Sequence, residues 1–269
     1  MQAERKASRL PLLLWLRGSK EVMELFYTSP EQVTLAARTL VIDGDEFHHL
    51  VRVLRKKEGD QILVTDGNGL RCEVRISAVD KSSLRAEIIN ETTVCRSITE
   101  VTVALSLLKA PQRFDLFLEK ATELGVSSII PMMTVRTISQ PSSEKVQGKL
   151  NRWRTIMLSA ARQSKRYYLP TLHEPLSFKK VLELQGYDLR LIPYEGSEVP
   201  PRVQCSGKKI LFLIGGEGGF TTGEVQGAEA AGFAPISLGK TILRAETAGL
   251  FAVAYVRSQL LEGDSAEWF

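Results

Sequence analysis

Two glycine-rich loops hold the residues of this chain best suited to chemistry. The first is Gly215-Gly216-Glu217-Gly218-Gly219 and the second is Leu238-Gly239-Lys240-Thr241-Ile242-Leu243-Arg244. Each follows a short aliphatic run and precedes a helix-forming one. Glycine tolerates positive φ and lets a ligand lie against bare backbone. Two such loops at the carboxyl ends of neighbouring strands describe a ligand crevice in an open α/β sheet. Glu217 and Glu246 are carboxylates able to accept a proton, and Arg136 and Arg244 are cations able to lower the cost of a developing anion. Glutamates at loop ends also cap helices, so Glu246 has a structural reading beside its chemical one.

Several ligand chemistries compete for these loops. A phosphate-binding G-x-x-x-x-G-K-[ST] loop finds its end in Gly239-Lys240-Thr241, but its first glycine would fall on Ala234. The dinucleotide pattern G-x-G-x-x-G does not match the register of Gly216-Glu217-Gly218-Gly219-Phe220. Two tight turns with no ligand remain the bland alternative, and lone glycine turns are weak evidence for anything more.

Read together, IGGEGGF and LGKTILRAETA resemble the paired signature of the SPOUT methyltransferases. Within that superfamily they are similar to the RsmE family, which methylates N3 of a uridine in 16S ribosomal RNA. Further family-like pieces lie upstream in order: HHLVRVLR at His48–Arg55, Lys109 with Arg113, KATELGV at Lys120–Val126, Arg136, and ARQSKR at Ala161–Arg166. The resemblance runs from about Met23 to the C-terminus. The family's first loop reads G-P-E-G-G, so Gly216 stands in place of a proline and should loosen that loop.

The resemblance implies a small PUA-like RNA-binding β-barrel followed by a SPOUT-type α/β domain with a trefoil knot. It implies S-adenosylmethionine as cofactor, held by Tyr194, Gly215, Gly216, Glu217, Gly218, Leu238, Gly239, Ile242, Leu243 and Arg244. Glu217, Arg136 and Arg244 are the candidate catalytic residues. Arg52, Arg55, Lys109, Arg113, Arg162, Gln163 and Arg166 are candidates for contact with 16S ribosomal RNA or the small ribosomal subunit. It also implies a homodimer, with no metal and no membrane. The alternative from another class is a non-catalytic RNA-binding factor that keeps the fold; Gly216 is the feature that favours it.

Composition is compatible with these expectations without requiring them. A net charge of +4 and a pI near 8.9 permit nucleic acid as a partner but do not demand it. The basic residues form two concentrations: Arg52, Arg55, Lys56, Lys57, Arg71 and Arg75 early, then Arg152, Arg154, Arg162, Lys165 and Arg166 beside Tyr167 and Tyr168. Such mixtures suit phosphate contact and stacking on unpaired bases, although any single lysine is more often a solvated surface group. Cys72, Cys95 and Cys205 are odd in number and far apart with no C-x-x-C pair, which argues against a zinc cluster or disulfide framework and fits a reduced, cytoplasmic compartment. His48 and His49 suggest packing or RNA contact rather than catalysis. The apolar run Leu10–Leu16 is too short to span a bilayer and is followed by no small-residue cleavage site. Residues 1–22 are read as a disordered extension.

Periodicity then supplies the elements that must position the loops. From Leu40 to Asn90 the chain reads as short strands, with Gln61–Thr65 and Leu70–Ala78 flanking the turn Asp66-Gly67-Asn68-Gly69, and Ser83–Asn90 alternating. Asp45–Leu54 is the helix of this half. Glu91–Glu100 reads as a linker, giving domains at 23–93 and 94–269. Beyond it strands at Val101–Leu108, Val126–Pro131, Asp188–Tyr194, Lys209–Gly215 and Pro235–Gly239 alternate with helices at Arg113–Leu124, Ser143–Arg166 and Glu246–Leu261. Thr221-Thr222-Gly223-Glu224 is a capping box opening a further helix to Gly232. The last helix is apolar almost all round and must be buried in its own domain, against another subunit, or both. Which position of this helix would face a partner is not readable from the sequence, so Val253 and Val256 are both positions to test.

Overall fold

The computed structural model describes residues 23–138 and 143–261, so the extension expected at 1–22 lies outside the described residues. The chain builds two sheets, each with its own core. The first comprises β1 (Leu25–Tyr27), β2 (Val33–Thr34), β3 (Thr39–Asp43), β4 (Gln61–Thr65), β5 (Leu70–Val79) and β6 (Ser83–Thr93), in the order β1-β4-β5-β6-β3-β2. Leu84, Ala86 and Ile88, the alternating set on β6, point inward with Ile42, Ile62, Val64 and Val74. β2 pairs with only the first two residues of β3, which leaves the rest of that edge open. There Thr28, just past β1, donates its hydroxyl to Val41 O at 2.5 Å and draws the two ends of the sheet together into a barrel.

The helix of this half differs from its expected form. It is one α-helical stretch, α1 (Gly44–His48), continued by a π-helical turn at His49–Val53. The wider turn keeps Leu50 in the barrel core while Arg52 and Val53 face outward. His48 is exposed; His49 is half-buried against Phe26.

The second sheet is parallel throughout its register, in the order β10-β8-β7-β12-β11-β13 with β9 beside β8. Its elements are β7 (Glu100–Ser106), α2 (Pro111–Leu124), β8 (Ser128–Met133), α3 (Ser143–Gln163), β9 (Thr171–Leu172), β10 (Leu176–Ser177), α4 (Phe178–Leu182), β11 (Leu189–Pro193), β12 (Lys209–Ile214), α5 (Thr222–Ala230), β13 (Ala234–Ile236) and α6 (Ala245–Leu260). Helices cover both faces, which is why β12 is an unbroken apolar run. Ile210, Phe212 and Ile214 face α2, α3 and α6, while Leu211 and Leu213 face α4 and α5. β8 continues to Met133, past the proline expected to end it, because proline removes one donor without forbidding extended backbone. β9, β10 and α4 were not foreseen; elements of two to five residues are too short to show a period.

α6 settles its apolar surface mainly within the chain. Val253 and Val256, the two positions offered for test, are both buried in its own domain's core and present no surface to a partner. Gly249 lets α6 close on α2: a Cβ there would sit 2.7 Å from the buried Phe117 ring. The large apolar side chains that this pair of helices leaves exposed are Phe251 and Leu116, each 44% exposed. No helix among the described residues is long and apolar enough to cross a membrane.

The two halves are joined by more than the linker. The turn after β4 lies on the segment following α3, with Gly69 N donating to Tyr167 O at 2.9 Å and Leu169 N to Gly67 O at 2.9 Å. Side chains on Gly67 or Gly69 would strike Leu169 or the Tyr168 ring, so these glycines serve the junction as well as the hairpin. Beside them Arg162 forms an ion pair with the buried Glu46 at 2.5 Å, and the other carboxylate oxygen of Glu46 accepts Tyr27 N at 2.8 Å.

Candidate active site

The two glycine loops do come together, with one difference from expectation. β12 and β13 are not neighbours; β11 lies between them. A crevice opens at the carboxyl ends of all three strands. Pro193, Tyr194 and Glu195 form its middle, Ile214, Gly215, Gly216, Gly219 and Phe220 one side, and Ser237–Leu243 the other. Ala245 and Ala248, at the start of α6, close its base. Ligands of open α/β sheets are held at this carboxyl edge of the strands.

Of the expected cofactor residues, Tyr194, Gly215, Gly216, Leu238, Gly239, Ile242 and Leu243 line the crevice. Glu217, Gly218 and Arg244 do not belong to its lining. Gly219, Lys240 and Thr241, members of the two loops, line it as well. Pro193, Glu195, Ile214, Phe220, Ser237, Ala245 and Ala248 join them without having been singled out by the sequence, although most are chain neighbours of the expected residues. The walls mix bare peptide with apolar surface, a combination suited to a small ligand having one flat apolar part and several hydrogen-bonding groups. Gly239 has φ +127° and a Cβ on it would meet nothing within 4 Å. The glycine is therefore required by backbone conformation rather than by crowding from the protein. Gly196 has a different reason: a Cβ there would lie 2.5 Å from the Tyr194 ring, which folds back over it.

Glu217 turns away from the crevice toward the start of α2. Its carboxylate accepts Lys109 N at 3.1 and 3.4 Å and lies 3.9 Å from Arg113 Nη1. Arg113 Nε is also 3.8 Å from Glu246 Oε1 in the first turn of α6. Arg113 thus bridges the first loop to α6. Glu246 is buried, and its Oε2 has no hydrogen-bond partner among the described residues. Arg136 is exposed and donates Nη1 to Gly218 O and, at 3.4 Å, to Phe220 O. Arg244 is exposed at the N-cap of α6. Arg136 and Glu217 consequently flank the first loop from opposite sides. Gly216 does not have positive φ; what limits its replacement is Ser106, whose Oγ would be 3.1 Å from a Cβ.

The expected RNA-contacting residues separate into two groups. Arg52, Arg55, Lys109 and Gln163 are exposed. Arg162 is engaged by Glu46 across the domain junction, and Arg166 lies against Gly125 and donates to Glu123 O at 3.4 Å. Burial and the nearby Arg257 push the Arg166 guanidinium down to about 10, which leaves it charged at neutral pH. It caps the carboxyl end of α2, where cations are favoured. Arg113 is half-buried in its bridge.

A family model for an RNA methyltransferase domain matches residues 95–257, and one for an RNA methyltransferase PUA domain matches residues 42–89. The ribosomal RNA small subunit methyltransferase E of Bacillus subtilis is 30% identical over 240 residues, covering 85% of this chain and 94% of the relative. The chain belongs to the ribosomal RNA small subunit methyltransferase E family. The Synechocystis member is 34% identical over 240 residues, with 86% of this chain and 76% of that protein covered. Among solved structures, methyltransferase E of Neisseria gonorrhoeae, bound to S-adenosyl methionine, is 31% identical with a TM-score of 0.79, covering 88% of this chain and 97% of that one. A methyltransferase of Legionella pneumophila, solved with S-adenosylmethionine, aligns with a TM-score of 0.81 at 26% identity, covering 88% of this chain and 97% of that one. The first sheet is thus PUA-like and the second is the SPOUT-type methyltransferase half of the family fold.

Proposed function

We propose that this chain transfers the methyl group of S-adenosylmethionine to N3 of a uridine in the 16S ribosomal RNA of the small ribosomal subunit, acting in the cytoplasm as a homodimer. The observation that carries the reading is the crevice in which both glycine loops present bare backbone beside apolar walls. The residues present fit the cofactor. Leu238, Ile242 and Leu243 offer apolar surface for its ring, and the peptide groups of Gly215, Gly216 and Gly239 offer its polar atoms partners. When bound, it supplies an electrophilic methyl group.

Uridine N3 carries a proton at neutral pH, so the acceptor base must lose it or be stabilised as an anion. Arg136, exposed beside the first loop, is the cation placed to lower the cost of that anion. Glu217 and Arg244 remain proposed participants; Glu217 acts first to hold the loop to Lys109 and Arg113. Residues 23–93 are assigned to RNA binding, with Arg52 and Arg55 at the surface, and residues 94–269 to cofactor and catalysis. α6 is inferred to pass through the preceding loop as a trefoil knot, and Leu116 and Phe251 to meet a second copy. The open crevice disfavours the non-catalytic alternative.

Titration calorimetry of the full chain with S-adenosylmethionine and with ATP tests the cofactor. Mapping of methylated uridines in small-subunit RNA from a strain lacking the gene tests the target. Binding of ATP in preference to S-adenosylmethionine, or an unchanged methylation map, would defeat the proposal.

A further inference from the structure

The loop after β8 is held by an arrangement that the proposed reaction leaves unexplained. Thr137 Oγ1 accepts Thr134 N at 2.8 Å and shares hydrogen bonds with Ser106 Oγ at 2.9 Å and Thr134 Oγ1 at 3.0 Å. All three side chains are buried. Ser106 ends β7 and lies directly beneath Gly216. On the other side, the buried Glu224 does more than complete its capping box. Its Oε2 accepts Thr221 N at 2.8 Å and Thr221 Oγ1 at 3.0 Å, while Oε1 accepts Val135 N at 2.8 Å. A capping box needs only the first of these oxygens. The second ties α5 to the loop.

The loop is therefore pinned at Thr134, Val135 and Thr137, and Arg136 is the residue between the pins. Its guanidinium reaches the carbonyls of Gly218 and Phe220, in the segment joining β12 to α5. The contacts among Ser106, Thr134 and Thr137 are buried, and removing one partner there leaves the other desolvated and unpaired; the Val135 contact is buried on its Glu224 side. Neither group of pins is required to fill the apolar core. Their shared effect is to fix where Arg136 stands relative to the first glycine loop.

We infer that Thr137 and Glu224 are positioning residues, which hold Arg136 and the first glycine loop in one geometry through Ser106 and Val135. The inference deepens the proposed role of Arg136 and rests on it. Thr137→Val removes the hydroxyl at nearly constant shape, Thr137→Ser retains it, and Ser106→Ala removes the partner hydroxyl should the valine variant not fold. Each is made in the parent and in Arg136→Ala, and methyl transfer to small ribosomal subunits is measured with full-length protein. Amide hydrogen exchange is followed over residues 134–138 and 216–220.

Thr137→Val is expected to lower kcat about tenfold, the cost of one unpaired buried group, with KM for S-adenosylmethionine within about twofold of the parent. Thr137→Ser should recover most of the loss. In the Arg136→Ala background Thr137→Val should add nothing, because groups that act as a unit are not additive. Protection should fall in both segments together. Multiplying losses in the double variant, or unchanged exchange at 216–220, would overturn the inference. If Arg136→Ala alone leaves kcat intact, the role of Arg136 fails instead, and loss of exchange protection at 216–220 in Thr137→Val still supports the positioning of the loop.

Discussion

Gly239→Ala isolates backbone conformation from every other influence on the crevice. At φ +127° the residue lies well beyond the left-handed well near +57° that an L-residue can enter. A Cβ there meets no protein atom within 4 Å, so the substitution introduces no clash with its surroundings. Holding alanine in such a region costs about 1–3 kcal/mol. Because the residue is exposed, the loop can relax locally and leave the core untouched. Binding must then restore the strained geometry, and the same free energy appears as a loss of affinity of about 5- to 150-fold. Titration calorimetry with S-adenosylmethionine reads the affinity, and thermal unfolding without ligand confirms that the melting temperature has not moved. An affinity within twofold of the parent, in a folded variant, would show that the crevice does not depend on this conformation.

Three further outcomes are expected. Gly249→Ala, with its Cβ 2.7 Å from the buried Phe117 ring, should destabilise by about 1–3 kcal/mol despite the gain in helix propensity, as read from urea midpoints; equal or greater stability would mean that α2 and α6 separate freely. Leu116→Arg with Phe251→Arg should convert a dimer to a monomer in sedimentation and reduce methyl transfer, whereas a parent that sediments as an active monomer would remove the dimer from the mechanism. Arg52→Ala with Arg55→Ala should flatten the salt dependence of RNA binding by roughly one to two units of log K per log salt, and identical slopes would return both residues to the solvated surface.

The elements that carry a period were legible in the sequence. The α2 stripe, the capping box at Thr221 and the alternation on β6 all appear as expected, because each is written in side chains a few residues apart. So was the convergence of the glycine loops, since strand, turn and helix follow one another in a fixed order. What the sequence did not reveal depends on partners far along the chain. Glu217 bonds a backbone amide 108 residues away, and Arg162 pairs with a carboxylate 116 residues away. Neither contact leaves a local signal, so an acid in a glycine loop suggested the crevice and a basic helix end suggested RNA. The same holds for Val253 and Val256: an all-round apolar helix reveals that it is buried without revealing by what.

The junction at Gly67–Gly69 has a consequence for how the enzyme can be taken apart. Its hydrogen bonds to Tyr167 and Leu169 and the Glu46–Arg162 pair all terminate on the end of α3 or the segment just after it. α3 in turn packs the Trp153 ring against Phe114 of α2, centroids 4.7 Å apart and tilted, one residue from the arginine that bridges to the first glycine loop. The barrel is therefore seated on the same helix pair that holds the mouth of the crevice. Separating the two halves at the linker would expose the seat as well as sever the covalent tie, so neither fragment would present the surface it has in the whole. Grafting this barrel onto another catalytic module would require the end of α3 to travel with it.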